Sequence, residues 1–252
     1  MLIMKKTLIC AALTASMVCS GAMAETVRIG TEGAYAPWNY LDDAGKLAGF
    51  EIDLGNDLCK RAELTCEFVA NEWDSIIPNL IAGNYDVIMA GMSVTDERKE
   101  SINFSAEYFP PDPSVFAASG DAKFDFDNLK GVKIGVQGAT IQADYAQANL
   151  ADGNTILSFE TGDQSIADLM AGNIDLLLAD PNFLGPVIEA SNGALMITGP
   201  EIPIGGGVAA GLRKEDTALA EKLNGALAAA KADGTVDKLI AEYFESGPFY
   251  SN

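Results

Sequence analysis

Histidine is absent from this 252-residue sequence. That removes the commonest general base and the commonest metal ligand, so histidine-dependent catalysis and most zinc sites are excluded. Cations are also scarce: 16 Lys and Arg stand against 36 Asp and Glu, a formal net charge of −20. Nucleic acid and anionic membrane bind through basic faces, and this balance argues against both as partners. An acidic surface mildly favours cationic ligands, but it also serves plain solubility. No apolar run has the length or purity of a spanning helix. There is no repeat of fixed period and no low-complexity tail. Cysteine is rare, with four residues, two of them in the first 24 positions.

Those first 24 residues read as an export signal. Lys5 and Lys6 give a positive start, Leu8 to Val18 is mostly apolar, and Ala22-Met23-Ala24 is a small-x-small cleavage site. Thr14 and Ser16 interrupt the apolar run, which is too short to span a bilayer. Val18 is bulky where lipidation of Cys19 needs a small residue. The expectation is cleavage after Ala24 and a soluble exported protein of 228 residues, whose net charge moves from −20 to −22 as two lysines leave. Cys10 and Cys19 leave as well. Cys59 and Cys66 remain, seven apart, and a disulfide is the default for such a pair in an exported protein. It would tie a helix end to the next strand and add roughly 2–3 kcal/mol in the chain-entropy model.

Strands and helices alternate, which indicates an α/β protein with largely parallel sheets. Val27-Arg28-Ile29-Gly30 reads as a first strand, 52–63 as a helix with Leu54, Leu58 and Ala62 on one face, and Cys66 to Val69 as a strand. A helix is read at 75–82, with Pro78 in its first turn, and a short strand at 102–104. Phe109-Pro110-Pro111-Asp112-Pro113 is a stiff extended segment and reads as a crossing between two lobes. Strands follow at 133–136, 155–159 and 175–179. Gly205-Gly206-Gly207 marks the return crossing, and helices at 217–232 and 236–244, with Gly234 as a C-cap between them, close the chain.

The densest chemistry lies at Gly91-Met92-Ser93-Val94-Thr95-Asp96-Glu97-Arg98, directly after the apolar run Asp86 to Ala90. That run reads as a buried strand. Ligands of open α/β sheets bind at such strand ends, and an arginine there can grip a carboxylate through two parallel hydrogen bonds. The alternative for Arg98 is an exposed residue at a solvated helix start.

Six blocks in order resemble the polar amino-acid family (family 3) of periplasmic solute-binding proteins, in particular the lysine/arginine/ornithine/histidine and opine binders. They are Ala34-Tyr35-Ala36-Pro37-Trp38, Gly49-Phe50-Glu51-Ile52-Asp53-Leu54, Trp73-Asp74-Ser75-Ile76-Ile77-Pro78, Met92 to Arg98, Gly135-Val136-Gln137-Gly138-Ala139-Thr140, and Gly211-Leu212-Arg213-Lys214-Glu215-Asp216. The match runs from about Val27 to Phe244, and the Cys59–Cys66 spacing matches a disulfide of the basic amino-acid branch. The resemblance implies the two-lobed type II flytrap fold with two crossing strands. It places lobe 1 at 25–112 and 205–252 and lobe 2 at 113–204. It implies a monomer without cofactor or metal that hands its ligand to an ABC permease.

The resemblance also implies site roles. Arg98 and Thr140 would hold the α-carboxylate of an amino acid; Asp180, the Ser93 hydroxyl and the Gly91 carbonyl would hold its ammonium. Glu32 stands where basic amino-acid binders carry a carboxylate for the distal cation, usually Asp. Tyr35 and Trp73 occupy positions that flank the ligand side chain. Each has a plainer reading: Asp180, Ser93 and Thr140 as helix N-caps, Glu32 as a loop acid, Trp73 as a core anchor. Trp38, Phe50, Asp53 and Asp74 read as scaffold. Ala90 and Gly91 replace two serines common in the basic amino-acid binders, which widens that wall. The expected ligand is arginine, lysine or ornithine, with an opine or ectoine-type cation as the alternative. A dehydratase resembling the exported cyclohexadienyl dehydratases is the alternative of another class, and no catalytic residue is expected.

Overall fold

The computed structural model describes residues 26–251; the export signal read at 1–24 lies outside the described residues. In chain order, β1 (Thr26–Thr31) is followed by β2 (Ala34–Tyr35), β3 (Asn39–Leu41), β4 (Leu47–Ala48), α1 (Phe50–Arg61), β5 (Thr65–Ala70), α2 (Ile76–Ile81), β6 (Val87–Ile88), α3 (Asp96–Ser101) and β7 (Asn103–Phe109). The chain then enters β8 (Ser114–Ser119), β9 (Lys133–Gln137), α4 (Ile141–Asn149), β10 (Thr155–Phe159), α5 (Gly162–Met170), β11 (Leu176–Ala179), α6 (Pro181–Ala190) and β12 (Leu195–Ile202). It returns through β13 (Val208–Leu212), α7 (Thr217–Ala232) and α8 (Thr235–Phe244).

Two five-stranded sheets result, in the orders β5-β1-β6-β13-β7 and β10-β9-β11-β8-β12, with a small β2-β3-β4 sheet beside the first. Each is mixed rather than largely parallel. β1 runs parallel to β5 and β6, but β13 is antiparallel to β6 and β7. β9 runs parallel to β10 and β11, but β8 is antiparallel to β11 and β12. Every antiparallel pair in these two sheets includes a strand next to a crossing, β7, β8, β12 or β13, so a βαβ reading covers only the other part of each sheet. The chain leaves the first sheet after Phe109 and re-enters it at Val208.

α1, α7 and α8 cover one face of the first sheet, with Phe50, Leu54, Leu58, Leu223, Leu227, Val236 and Ile240 in one apolar cluster. Burying each large side chain contributes on the order of 1.5–3 kcal/mol. Ile76, Leu80 and Tyr85 fill the other face. The second sheet is covered on one side by Ile166, Leu169, Phe183 and Leu184 and on the other by Val132, Ile134, Ala146 and Leu176. Cys59 and Cys66 form a disulfide between the end of α1 and β5, with Cα atoms 6.2 Å apart.

α1 starts two residues before the apolar period predicts. Its first N–H groups are met by an incoming loop: Phe50 and Glu51 donate to the carbonyls of Pro37 and Trp38 at 3.0 and 2.9 Å. Gly49 permits that approach, because a Cβ there would lie 2.6 Å from the Trp38 carbonyl oxygen. This packing seats the β2–β3 loop on the helix and places the buried Glu51 beneath it.

Candidate functional site

A cleft opens between the two sheets. It is lined by Glu32, Tyr35, Trp73, Ala90, Gly91, Ser93, Arg98, Thr140 and Asp180, and by three residues not singled out from sequence, Gln137, Ile141 and Gln142. Backbone direction explains the gathering. Glu32 directly follows β1, Ala90 and Gly91 follow β6, Gln137 ends β9, and Asp180 follows β11. These parallel strands of both sheets end at the cleft, where side chains and free backbone groups converge on a ligand.

Arg98 is in the first turn of α3 and partly buried. Its guanidinium donates to the Ser93 carbonyl at 2.9 Å and the Ala139 carbonyl at 3.4 Å, and lies 5.3 Å from the Trp73 ring centre. It has no ion-pair partner among the described residues. Burial lowers its pKa to about 10, with Asp144 and Glu97 opposing the shift. The exposed-helix reading of Arg98 therefore does not hold. Ser93 does not cap α3 either: Thr95 does, accepting from the Arg98 N–H at 3.1 Å.

Glu32 accepts a 2.6 Å hydrogen bond from the side-chain amide of Gln137, a bond that spans the cleft. Burial raises its carboxyl to about 7, against the lowering effect of that bond. Asp180 caps α6, accepting from the Asn182 and Phe183 N–H groups at 2.8 and 3.3 Å, while still lining the cleft. Burial raises it to about 6, opposed by the Asn182 N–H. Thr140 caps α4 by accepting from the Ala143 N–H at 3.1 Å, and its hydroxyl donates to the Gln137 carbonyl at 2.7 Å. Capping and lining the cleft thus coexist at Thr140 and Asp180.

Trp73 is at once core and wall: 8% exposed, packed with Ile76 and Leu80, and donating its ring N–H to the Ala139 carbonyl at 3.1 Å. Tyr35 stacks on Phe183 of the opposite lobe, ring centres 4.3 Å apart and planes within 7°. One face of Tyr35 is therefore taken by protein. Gly91 has φ +62°, a conformation in which a side chain is disfavoured, although a Cβ would meet nothing closer than 3.7 Å. The glycine thus answers a backbone need. Gln137 was legible in principle: it stands in a quoted block at the C-terminal end of a strand. Among the described residues no acidic and cysteine side chains group as metal donors, and no helix is long and apolar enough to cross a membrane.

The sequence profile of the bacterial extracellular solute-binding proteins, family 3, matches residues 27–246. The chain belongs to this family. Among family 3 relatives, the lysine/arginine/ornithine-binding periplasmic protein of Escherichia coli K12 is 36% identical over 238 residues, covering 89% of each chain. The octopine-binding periplasmic protein of Rhizobium meliloti is 36% identical over 244 residues, covering 85% of this chain and 82% of that one. A solved structure of a periplasmic His/Glu/Gln/Arg/opine family-binding protein from Silicibacter pomeroyi, in complex with lysine, superposes with a TM-score of 0.82 at 46% identity. That match covers 89% of this chain and all of the other. These family 3 relatives are periplasmic amino-acid binders, and the two-lobed fold is theirs.

Proposed function

We propose that this chain is the periplasmic receptor of an ABC importer for a basic L-amino acid, with arginine, lysine and ornithine as candidates. One observation carries the reading: a single cleft holds an arginine without an ion-pair partner among the described residues, together with two carboxylates, Glu32 and Asp180. A zwitterion with a distal cation complements that set. Arg98 and the start of α4 at Thr140 receive the α-carboxylate. Asp180, the Ser93 hydroxyl and the Gly91 carbonyl receive the α-ammonium. Glu32 receives the distal cation between Tyr35 and Trp73, where aromatic faces add roughly 0.5–2 kcal/mol each. The protein works as a monomer that closes on its ligand and docks transiently on the permease.

Calorimetric titration of the unfolded and refolded protein with L-arginine, L-lysine and L-ornithine tests this; refolding removes ligand carried through purification. One-to-one binding of at least one is expected. A second reading, an N-substituted amino acid of the opine type or ectoine, is favoured by the small Ala90–Gly91 wall. It takes over if all three basic amino acids are silent and such a compound binds. Binding rather than catalysis is the reading for the two acids, since they suit a cation and not the polyanion prephenate. No loss of prephenate or arogenate on incubation is expected, and turnover of either would replace the receptor with an enzyme.

A further inference from the structure

Glu51 is fully buried behind the cleft and does not line it. Its carboxylate has three partners, all donors and none a cation: the side-chain amide of Asn39 at 2.7 Å, the Gly91 N–H at 2.7 Å, and the Tyr108 hydroxyl. Burial raises its carboxyl above the usual range, and the three donors oppose that shift. The partners lead to different parts of the molecule. Asn39 is itself fully buried, and its side-chain carbonyl accepts from the Gly33 N–H at 2.7 Å, next to Glu32. Gly91 belongs to the wall that carries Ala90 and Ser93. Tyr108 lies one residue before Phe109, where the chain leaves for the other lobe.

We propose that Glu51 is a positioning residue that ties the Glu32 wall to the Gly91–Ser93 wall and thereby sets the ligand length the cleft accepts. The chain of bonds runs Gly33 N–H, Asn39 amide, Glu51 carboxylate, Gly91 N–H. Every link is buried or partly buried, so water does not substitute freely for a lost partner. Asn39 cannot turn its amide to compensate, because its carbonyl is already committed to Gly33. The tie's role in length selection rests on the functional reading above, in which Glu32 meets the distal cation and Ser93 and Gly91 meet the ammonium. Displacing one wall then changes the span between these ends and leaves the lobe 2 contacts in place.

The test uses the full chain with Glu51→Gln and Asn39→Ala. Asn39→Ala cuts Gly33 from Glu51 while leaving the other two bonds, and it keeps the proposal falsifiable if Glu51→Gln folds poorly. Amide hydrogen exchange by NMR on ligand-free protein comes first. Glu51→Gln is expected to speed exchange at both Gly33 and Gly91 by at least ~10-fold, although of these two glycines only Gly91 bonds directly to residue 51, with Gly138 in lobe 2 unchanged. Unaltered exchange at Gly33 overturns the tie. Affinities for arginine and ornithine, which differ in side-chain length, come second. A shift of at least ~5-fold in their ratio is expected in either variant; a loss of equal factor for both means Glu51 only stabilises the fold and overturns length selection. If the unsubstituted protein binds no basic amino acid, the functional reading and length selection fail together, and the exchange arm decides the tie alone.

Discussion

At the scale of single residues, the cleft is a problem of unpaired charge. Arg98 is held by two neutral carbonyls and an indole face, and in the proposed function a ligand carboxylate supplies the ionic partner that no described residue provides. Arg98→Ala is expected to weaken ligand binding by about 2–5 kcal/mol, because the ligand carboxylate would then be buried unpaired. Titration measures this, and retained affinity removes Arg98 from the site. Glu32 gives two pH trends of opposite sign. Its carboxyl is raised to about 7, so the folded chain binds this proton more tightly than the unfolded chain does. Its contribution to folding stability therefore grows as pH falls through about 7 toward the ordinary carboxylate range near 4, by up to about 3 kcal/mol. Pairing with a cation needs the charged form, so arginine affinity should fall over the same window, approaching ~10-fold per pH unit for one proton. Asp180, raised to about 6, moves both quantities in the same directions, so the comparison is with Glu32→Gln, which retains Asp180. Thermal melts and titrations at pH 5 to 8 should show both trends flattened in that variant. Identical slopes would remove Glu32 from both roles.

At the scale of elements, legibility followed local periodicity. α7 has the bounds its leucine spacing predicts, and β10 coincides with the strand read at 155–159, since each carries its own pattern. β8 and β12 went unread. β8 (SVFAAS) is buried at five of six positions and shows no alternation, and it follows a proline run. β12 contains Gly199 and Pro200, residues that disfavour a regular strand; the structure accommodates them on an edge strand with a register shift. β7 extends to Phe109 because β13, some hundred residues later, pairs with it. Such long-range pairing leaves no local trace. Glu51 stands inside a matching block without a signal of its own, since nothing in sequence says that Asn39, Gly91 and Tyr108 converge on it. The disulfide gives the prediction at this scale. It joins α1 to β5 at the C-terminal end of α1, and Glu51 stands at the other end. Cys59→Ser with Cys66→Ser should lower unfolding free energy by about 2–3 kcal/mol in urea titrations while leaving ligand affinity within about twofold. A large affinity loss would mean that the tie at this end controls the cleft.

At the scale of the whole molecule, contacts that join the lobes across the cleft include Gln137 to Glu32, Tyr35 on Phe183, and the Ala139 carbonyl receiving N–H groups from Trp73 and Arg98. Ala139 has φ +52°, uncommon for a residue with a side chain, and costs roughly 1 kcal/mol or more in that conformation. Among the described residues its carbonyl accepts from Trp73 and Arg98, both across the cleft. Under the proposed closing motion, opening breaks the indole bond, so that bond should favour closure and, through closure, ligand affinity. Trp73→Phe keeps an aromatic face and removes the ring N–H. It should weaken binding by about 1 kcal/mol, the ordinary net value of one hydrogen bond. Because the loss acts through the lobe equilibrium and leaves the cleft's length alone, arginine and ornithine should lose the same factor. Small-angle scattering at fixed sub-saturating ligand should show a larger average radius of gyration for the variant. Unequal losses for the two ligands would assign the indole N–H to recognition of the side chain and take closure away from it.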